Sequence, residues 1–140
     1  KEMSMFFEIE VKTEKSEYLL NITEQVQQAI KESKVQEGIC VVFVPHTTAA
    51  ITINSCLDSM TPEDIVDEIH RLVPTRVDFK HIYDTPADAA GHIKSVLIGN
   101  SLTLIIKGGK ALLGDSQSIQ FFEFDGPRKR SVYLKIFSDK

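Results

Sequence analysis

The chain has 140 residues, 42% of them hydrophobic and 26% charged, with a formal net charge of -4. That length sustains one core without disulfide or metal staples, and that charge excludes a chain-wide positive field for nucleic acid or an anionic membrane. No apolar stretch approaches the roughly 20 residues that span a bilayer, and Lys1 to Lys12 alternates like a strand, without the apolar region of a signal peptide. Cys40 and Cys56 lack a CxxC spacing, so the pair points to a reducing compartment more than to a disulfide framework. A single cytoplasmic domain over residues 1–140 is expected.

Met3, Met5, Phe7, Ile9 and Val11 alternate with polar residues, the period of a half-buried strand. Three helices follow one template. Ile22, Val26, Ala29 and Ile30 fall at i, i+4, i+7 and i+8; Ile65, Ile69, Leu72 and Val73 repeat those intervals; Ala89, Ile93, Val96 and Leu97 repeat them again. Each stripe predicts one apolar helix face laid on a sheet. Asn21 with Glu24, Thr61 with Asp64 and Thr85 with Asp88 resemble capping boxes, and Pro62 and Pro86 suit a first helical position.

Between the helices, Ile39 to Val44 is a continuous apolar run, the pattern of a strand covered on both faces. Thr48 to Asn54 and Leu102 to Ile106 read as further strands, the latter ended by Gly108-Gly109. Ile119 to Phe124 and Val132 to Phe137 complete the set around a turn at Asp125-Gly126-Pro127. Strands in pairs with helices between them predict an α+β domain, with mostly antiparallel sheets and about three helices, rather than a doubly wound sheet.

Position singles out a few residues for chemistry. His46 follows Pro45 at the end of a buried strand, where a site can form; the alternative is a turn histidine bonded to backbone. His92 lies one helical turn after Asp88, whose carboxylate can orient the ring; the alternative is an ordinary surface pair. His81 sits in the loop before that helix. Glu123 shares a strand face with Ile119 and Phe121, so it is either paired, metal-bound or protonated, or else this face is half-exposed. Gln117 and Asp125 fall on the same face. Arg128 and Arg130 follow the turn, with forks suited to phosphate, carboxylate or a structural salt bridge. Gly108-Gly109-Lys110 lacks the spacing of a phosphate-binding loop.

Three long motifs then stand in order. VFVPHTTAAITIN, from Val42 to Asn54, matches V-P-H-T-(T/S)-A-x-(I/L)-x-(I/L)-N. AAGHIKSVLIGNSLTL, from Ala89 to Leu104, matches A-x-A-H-(L/I)-K-x-x-(L/I)-x-G-x-S. LLGDSQSIQFFEFDGPRKR, from Leu112 to Arg130, matches L-x-L-G-x-W-Q-x-(I/V)-x-x-x-E-F-D-G-P-R-x-R. On these the chain resembles the YjbQ family, the secondary thiamine-phosphate synthase family, over roughly residues 38 to 137. Ser55 replaces the family's usual glutamate, Asp88 stands where asparagine is common, and Ser116 replaces the usual tryptophan.

The resemblance implies a homotrimer with sites near subunit contacts. It implies a site using His46, His81 and His92, with Glu123 and Arg128 nearby. There His46, His92 and Glu123 are expected to act as catalytic acid–base groups, or His46, His81 and His92 to hold a divalent metal (zinc or magnesium), with substrate contacts from Asn54, Gln117 and Arg128. It also implies a weak thiamine-phosphate synthase activity, a transfer that joins a pyrimidine diphosphate to a thiazole phosphate with loss of pyrophosphate. The alternative is a non-catalytic or metal-binding trimer that holds a small phosphorylated metabolite. Neither alternative involves nucleic acid or a membrane.

Overall fold

A computed structural model describes residues 4–140, so Met3 lies outside the described residues. In chain order the elements are β1 (Ser4–Lys12), β2 (Tyr18–Asn21), α1 (Thr23–Ser33), β3 (Glu37–Phe43), β4 (Ala49–Asn54), α2 (Met60–Leu72), α3 (Pro86–Ile98), β5 (Ser101–Lys107), β6 (Lys110–Ala111), β7 (Ser118–Glu123) and β8 (Lys129–Ser138). The strands form a five-stranded sheet in the order β1-β8-β3-β5-β6 and a three-stranded sheet in the order β2-β7-β4. All pairings are antiparallel, and β1 runs along β8 from Ser4 opposite Phe137 to Lys12 opposite Lys129. This is the α+β arrangement that the alternation of strand and helix patterns predicts.

The inner faces of the two sheets meet over the main core. Val42, Leu104, Leu134 and Ile136 from the large sheet pack with Ile51, Ile119 and Phe121 from the small one, and Val26 and Ile30 of α1 close one side. The opposite face of β7 carries Phe122, which with Ala50 and Phe124 forms a second cluster against Ile65, Val66 and Ile69 of α2 and Ile98 of α3. Strand β7 is therefore covered on both faces, as its apolar run requires.

Strand β3 differs from its expectation. Cys40 and Val42 are fully buried, but Ile39 and Phe43 on the other face are each 40% exposed. The run is continuous because its outward face is apolar too, beside Tyr133, Phe137 and Ile105 of the neighbouring strands.

The helices also divide. The α1 stripe of Ile22, Val26, Ala29 and Ile30 is buried throughout, but Leu72 of α2 and Ile93, Val96 and Leu97 of α3 face outward. Helix α3 instead buries Ala89, Ala90, Gly91, Lys94 and Ser95. Small residues let its backbone approach β4 closely: a Cβ on Gly91 would lie 3.3 Å from both Thr48 and Phe124 side chains. Hydrophobicity alone cannot signal such a face. Lys94 sits on it, 2% exposed, and its Nζ donates to Glu17 Oε2 at 2.7 Å.

Only one cap forms as the sequence predicts: Thr85 Oγ1 accepts the N–H of Asp88 at 3.1 Å, with Pro86 as the first helical residue. Asn21 caps from one position further out, accepting the Thr23 N–H. In α2 the carboxylate of Asp58 accepts the N–H groups of Met60 and Thr61, which places Pro62 at the third helical position rather than the first.

One close approach in the large sheet is directly testable. Gly38 of β3 leaves no room for a side chain, because a Cβ there would run into the backbone carbonyl of Phe137 on β8. Gly38→Ala is expected to destabilise the domain by about 1–3 kcal/mol, the usual cost of overpacking, read as a lower midpoint in urea unfolding.

Candidate functional site: a histidine–aspartate–histidine cleft

Helix α3 organises the site from its first turn. With Thr85 as cap, Asp88 falls at the third helical position, where a capping-box carboxylate would reach back to the Thr85 N–H. That N–H is taken by Asp84 Oδ1 at 2.8 Å instead. The Asp88 carboxylate is thereby released toward the two histidines. Its Oδ2 lies 2.8 Å from His81 Nε2 and 3.2 Å from His92 Nε2. His92 is one turn along the helix, and His81 comes from the preceding loop, its ring centroid 5.1 Å from that of His92.

The ligand atoms of His81, Asp88 and His92 lie within 4.8 Å of one another. Asp88 is buried, while both histidine side chains remain about two-fifths exposed, at 41% and 40%. Burial alone would push the Asp88 carboxyl up, but hydrogen bonds from the histidines and the charge of His92 outweigh it and hold the group below its ordinary range. Asp125 lies close enough for its carboxyl and that of Asp88 to shift each other. Burial foremost, and the neighbouring Asp88 carboxylate, raise the Asp125 carboxyl above its ordinary value, against the lowering pull of Arg128. Arg128 closes the chain, its Nη2 donating to Asp125 Oδ2 at 2.8 Å and its Nε to the Asp125 carbonyl at 2.7 Å.

Glu123 and Arg130 form a separate support behind this cleft. Glu123 is 0% exposed and Arg130 6%. The Arg130 Nε donates to Glu123 Oε1 at 2.9 Å and its Nη2 pairs with Oε2, while Nη2 also reaches Thr48 Oγ1 at 2.9 Å. Thr13 Oγ1 donates to Glu123 Oε1 at 2.8 Å and the Asp125 N–H to Oε2 at 3.0 Å. Burial would raise the Glu123 carboxyl, but the Arg130 fork and the other donors hold it low. Every oxygen of Glu123 is thus engaged within the fold, and its place is beneath the turn that presents Asp125 and Arg128.

His46 lines a cleft of about 360 Å3 with Thr47, His92, Ser95, Val96, Gly99 and Asn100. His46 and His92 thus line one cleft, while the compact ligand group is His81, Asp88 and His92, with Asp88 in the place expected of His46. His46 Nε2 instead accepts the backbone N–H of Ser131 at 2.9 Å. On the far side of His92 a second cleft of about 530 Å3 runs past His81, Phe79, Arg76 and Lys80.

The structure separates the other candidates from this group. Asn54 Oδ1 accepts the Ser55 N–H, and Gln117 Oε1 accepts the Gly114 N–H, so both brace local turns. Cys40 and Cys56 are free thiols, Cys40 pushed up to about 12 by burial. Among the described residues no helix is long and apolar enough to cross a membrane.

Two antiparallel sheets with three helices make an α+β domain, and that fold sets the class of protein. The chain belongs to the YjbQ family: residues 7–139 match the family described as UPF0047 protein YjbQ-like. It is 48% identical over 138 residues to the UPF0047 protein MJ1081 of Methanocaldococcus jannaschii, covering 99% of this chain and 98% of that one. It is 34% identical to the UPF0047 protein YugU of Bacillus subtilis, covering 91% and 96% respectively. Among solved structures, a YbjQ-like protein of unknown function from Sulfolobus solfataricus superposes with a TM-score of 0.91 at 31% identity, covering 97% of this chain and 98% of that one. The hypothetical protein APE1520 of Aeropyrum pernix superposes at 0.90 with 34% identity, covering 96% and 99%.

Proposed function

We propose that the chain is a metal-binding protein whose His81–Asp88–His92 group holds a divalent cation and, through it, a small phosphorylated metabolite. The observation that carries this is the convergence of three ligand atoms within 4.8 Å on one buried carboxylate and two half-exposed rings. Two imidazoles and one carboxylate suit zinc better than magnesium, which favours oxygen ligands and its own waters. Three protein ligands leave a position open, as a catalytic site requires. A cation held there would supply charge to neutralise a departing pyrophosphate, as a thiamine-phosphate synthase transfer would demand. Asp88 gathers both rings through their Nε2 atoms in the metal-free chain, and with a cation bound it would become the third ligand. A binding trimer that does not turn its ligand over uses the same residues.

The test is zinc titration of protein purified without a nickel column. One zinc per chain is expected, with Asp88→Ala losing it while the circular dichroism spectrum stays unchanged. Equal affinity in wild type and Asp88→Ala would refute the site.

The homotrimer is part of the same proposal. Phe6 is 57% exposed and Ile105 59% exposed, and they share the outward face of the five-stranded sheet with Ile39, Phe43 and Phe137. An apolar face of this breadth is a surface that another copy can cover; the number three is what the family resemblance implies. Light scattering is expected to give three times the chain's 15.7 kDa. A mass equal to one chain at micromolar concentration would contradict it.

A further inference from the structure

His46 makes one hydrogen bond whose direction is fixed by chemistry. Its partner is the Ser131 backbone N–H, 2.9 Å from Nε2. An amide N–H only donates, so Nε2 must offer a lone pair, and the proton of the neutral ring must sit on Nδ1. A second proton would turn Nε2 into a donor facing a donor and break that bond. The charged groups facing the ring are Arg130 and Glu123, and burial first, then Arg130, make protonation harder. Among the described residues Nδ1 has no hydrogen-bond partner and no buried side-chain nitrogen or oxygen lacks one, so Nδ1 is open to solvent. His46 and His92 line the same cleft, where the Ser95 hydroxyl is already committed to the Ala49 carbonyl at 2.8 Å.

We infer that His46 is an oxyanion-binding residue: a neutral imidazole whose Nδ1–H donates to a phosphate-type oxygen of the ligand held in the cleft beside His92. This rests on the metal reading for the charge of the ligand. A divalent cation against the single carboxylate of Asp88 leaves one excess positive charge, which selects an anion for the open position. Arg128, the obvious anion receptor by sequence, has its Nε and Nη2 engaged by Asp125. His46 is then neither a metal ligand through Nε2 nor a general base. It is a fixed donor, of the kind that stabilises charge on a bound oxygen.

Two measurements on the full chain test it. In the metal-free protein, nitrogen-15 spectra at neutral pH are expected to show Nδ1 of His46 protonated and Nε2 bare. In the zinc-loaded protein, inorganic phosphate is the probe, followed by calorimetry. His46→Phe is expected to bind zinc as wild type does but to weaken phosphate about tenfold or more, as loss of a hydrogen bond to a charged acceptor does, while His46→Gln, which keeps an N–H donor, recovers part of the loss. Should His46→Phe fail to fold, a shift of the wild-type His46 Nδ1–H resonance on adding phosphate carries the test. A charged ring, a proton on Nε2, no such shift, unchanged phosphate affinity in His46→Phe, or loss of zinc in that variant would each overturn the inference. Failure of wild type to take up zinc would instead refute the metal reading, and the nitrogen-15 result stands apart from it.

Discussion

Arg130→Ala is expected to destabilise the domain by about 3–5 kcal/mol, the cost of leaving a buried carboxylate without its cation. Glu123 is 0% exposed, and its pairing with Arg130 also anchors Thr48 and, through Thr13, the end of β1. For a domain whose whole stability is on the order of 5–15 kcal/mol, that loss shows as a large fall in the urea midpoint at constant slope. The pH dependence has a definite sign. The folded Glu123 carboxyl lies below its ordinary value of 4.5, so its contribution is complete above that value and is lost as pH falls through the lower folded one. Asp88 is depressed too and acts in the same direction, while Asp125 is raised and opposes it. Acid unfolding of wild type is therefore expected below about pH 4.5, and Glu123→Gln is expected to flatten that dependence while lowering stability at neutral pH. An unchanged acid midpoint in Glu123→Gln would contradict the assignment.

The second large effect is on metal. His81→Ala, Asp88→Ala and His92→Ala are each expected to weaken zinc binding by more than about 100-fold, because removing a ligand costs more than the 10- to 100-fold typical of its supporting residues. Arg128→Ala, which removes the ion pair on Asp125 beside Asp88, belongs in that supporting range. His70→Ala supplies the control, since His70 interacts with Glu17 and Lys94 on another part of the surface. Binding is expected to weaken as pH falls, because each imidazole must be unprotonated to ligate. Calorimetry at two pH values reads both effects. Equal losses in His70→Ala and His92→Ala would indicate adventitious surface binding.

The sequence carried the architecture wherever burial and hydrophobicity coincide. The α1 stripe is buried as read, and β7, whose Glu123 face the pattern leaves open between buried and half-exposed, is buried on both faces because it sits between layers. Hydrophobicity misplaced the inner face of α3, since Ala90, Gly91 and Ser95 pack by being small, and Val96, at 85% exposure, points outward. β2 escaped notice because four residues are too few to show a period.

The site was legible one residue at a time. Asp88 could be paired with His92 from their spacing, but its reading as half of a capping box hid a carboxylate that Asp84 releases by capping in its place. His81 reaches Asp88 across a loop, and no periodicity encodes that contact. An apolar strand face predicts a partner for Glu123 if that face is buried, but the choice of Arg130 over Arg128 depends on the turn at Asp125, which directs one fork inward and the other toward solvent. Asp125 and Asp88 lie 37 positions apart in the sequence, and only the fold brings their carboxyls close enough to influence each other.

Anomalous diffraction from a crystal grown with zinc, recorded on both sides of the zinc absorption edge, tests the metal site most directly. A single strong peak is expected between His81 Nε2, His92 Nε2 and the Asp88 carboxylate, at about 2.0–2.2 Å from each, with non-protein density completing the tetrahedron. A peak at His46 Nε2, or no peak at the three-residue group while the protein remains folded, would contradict it.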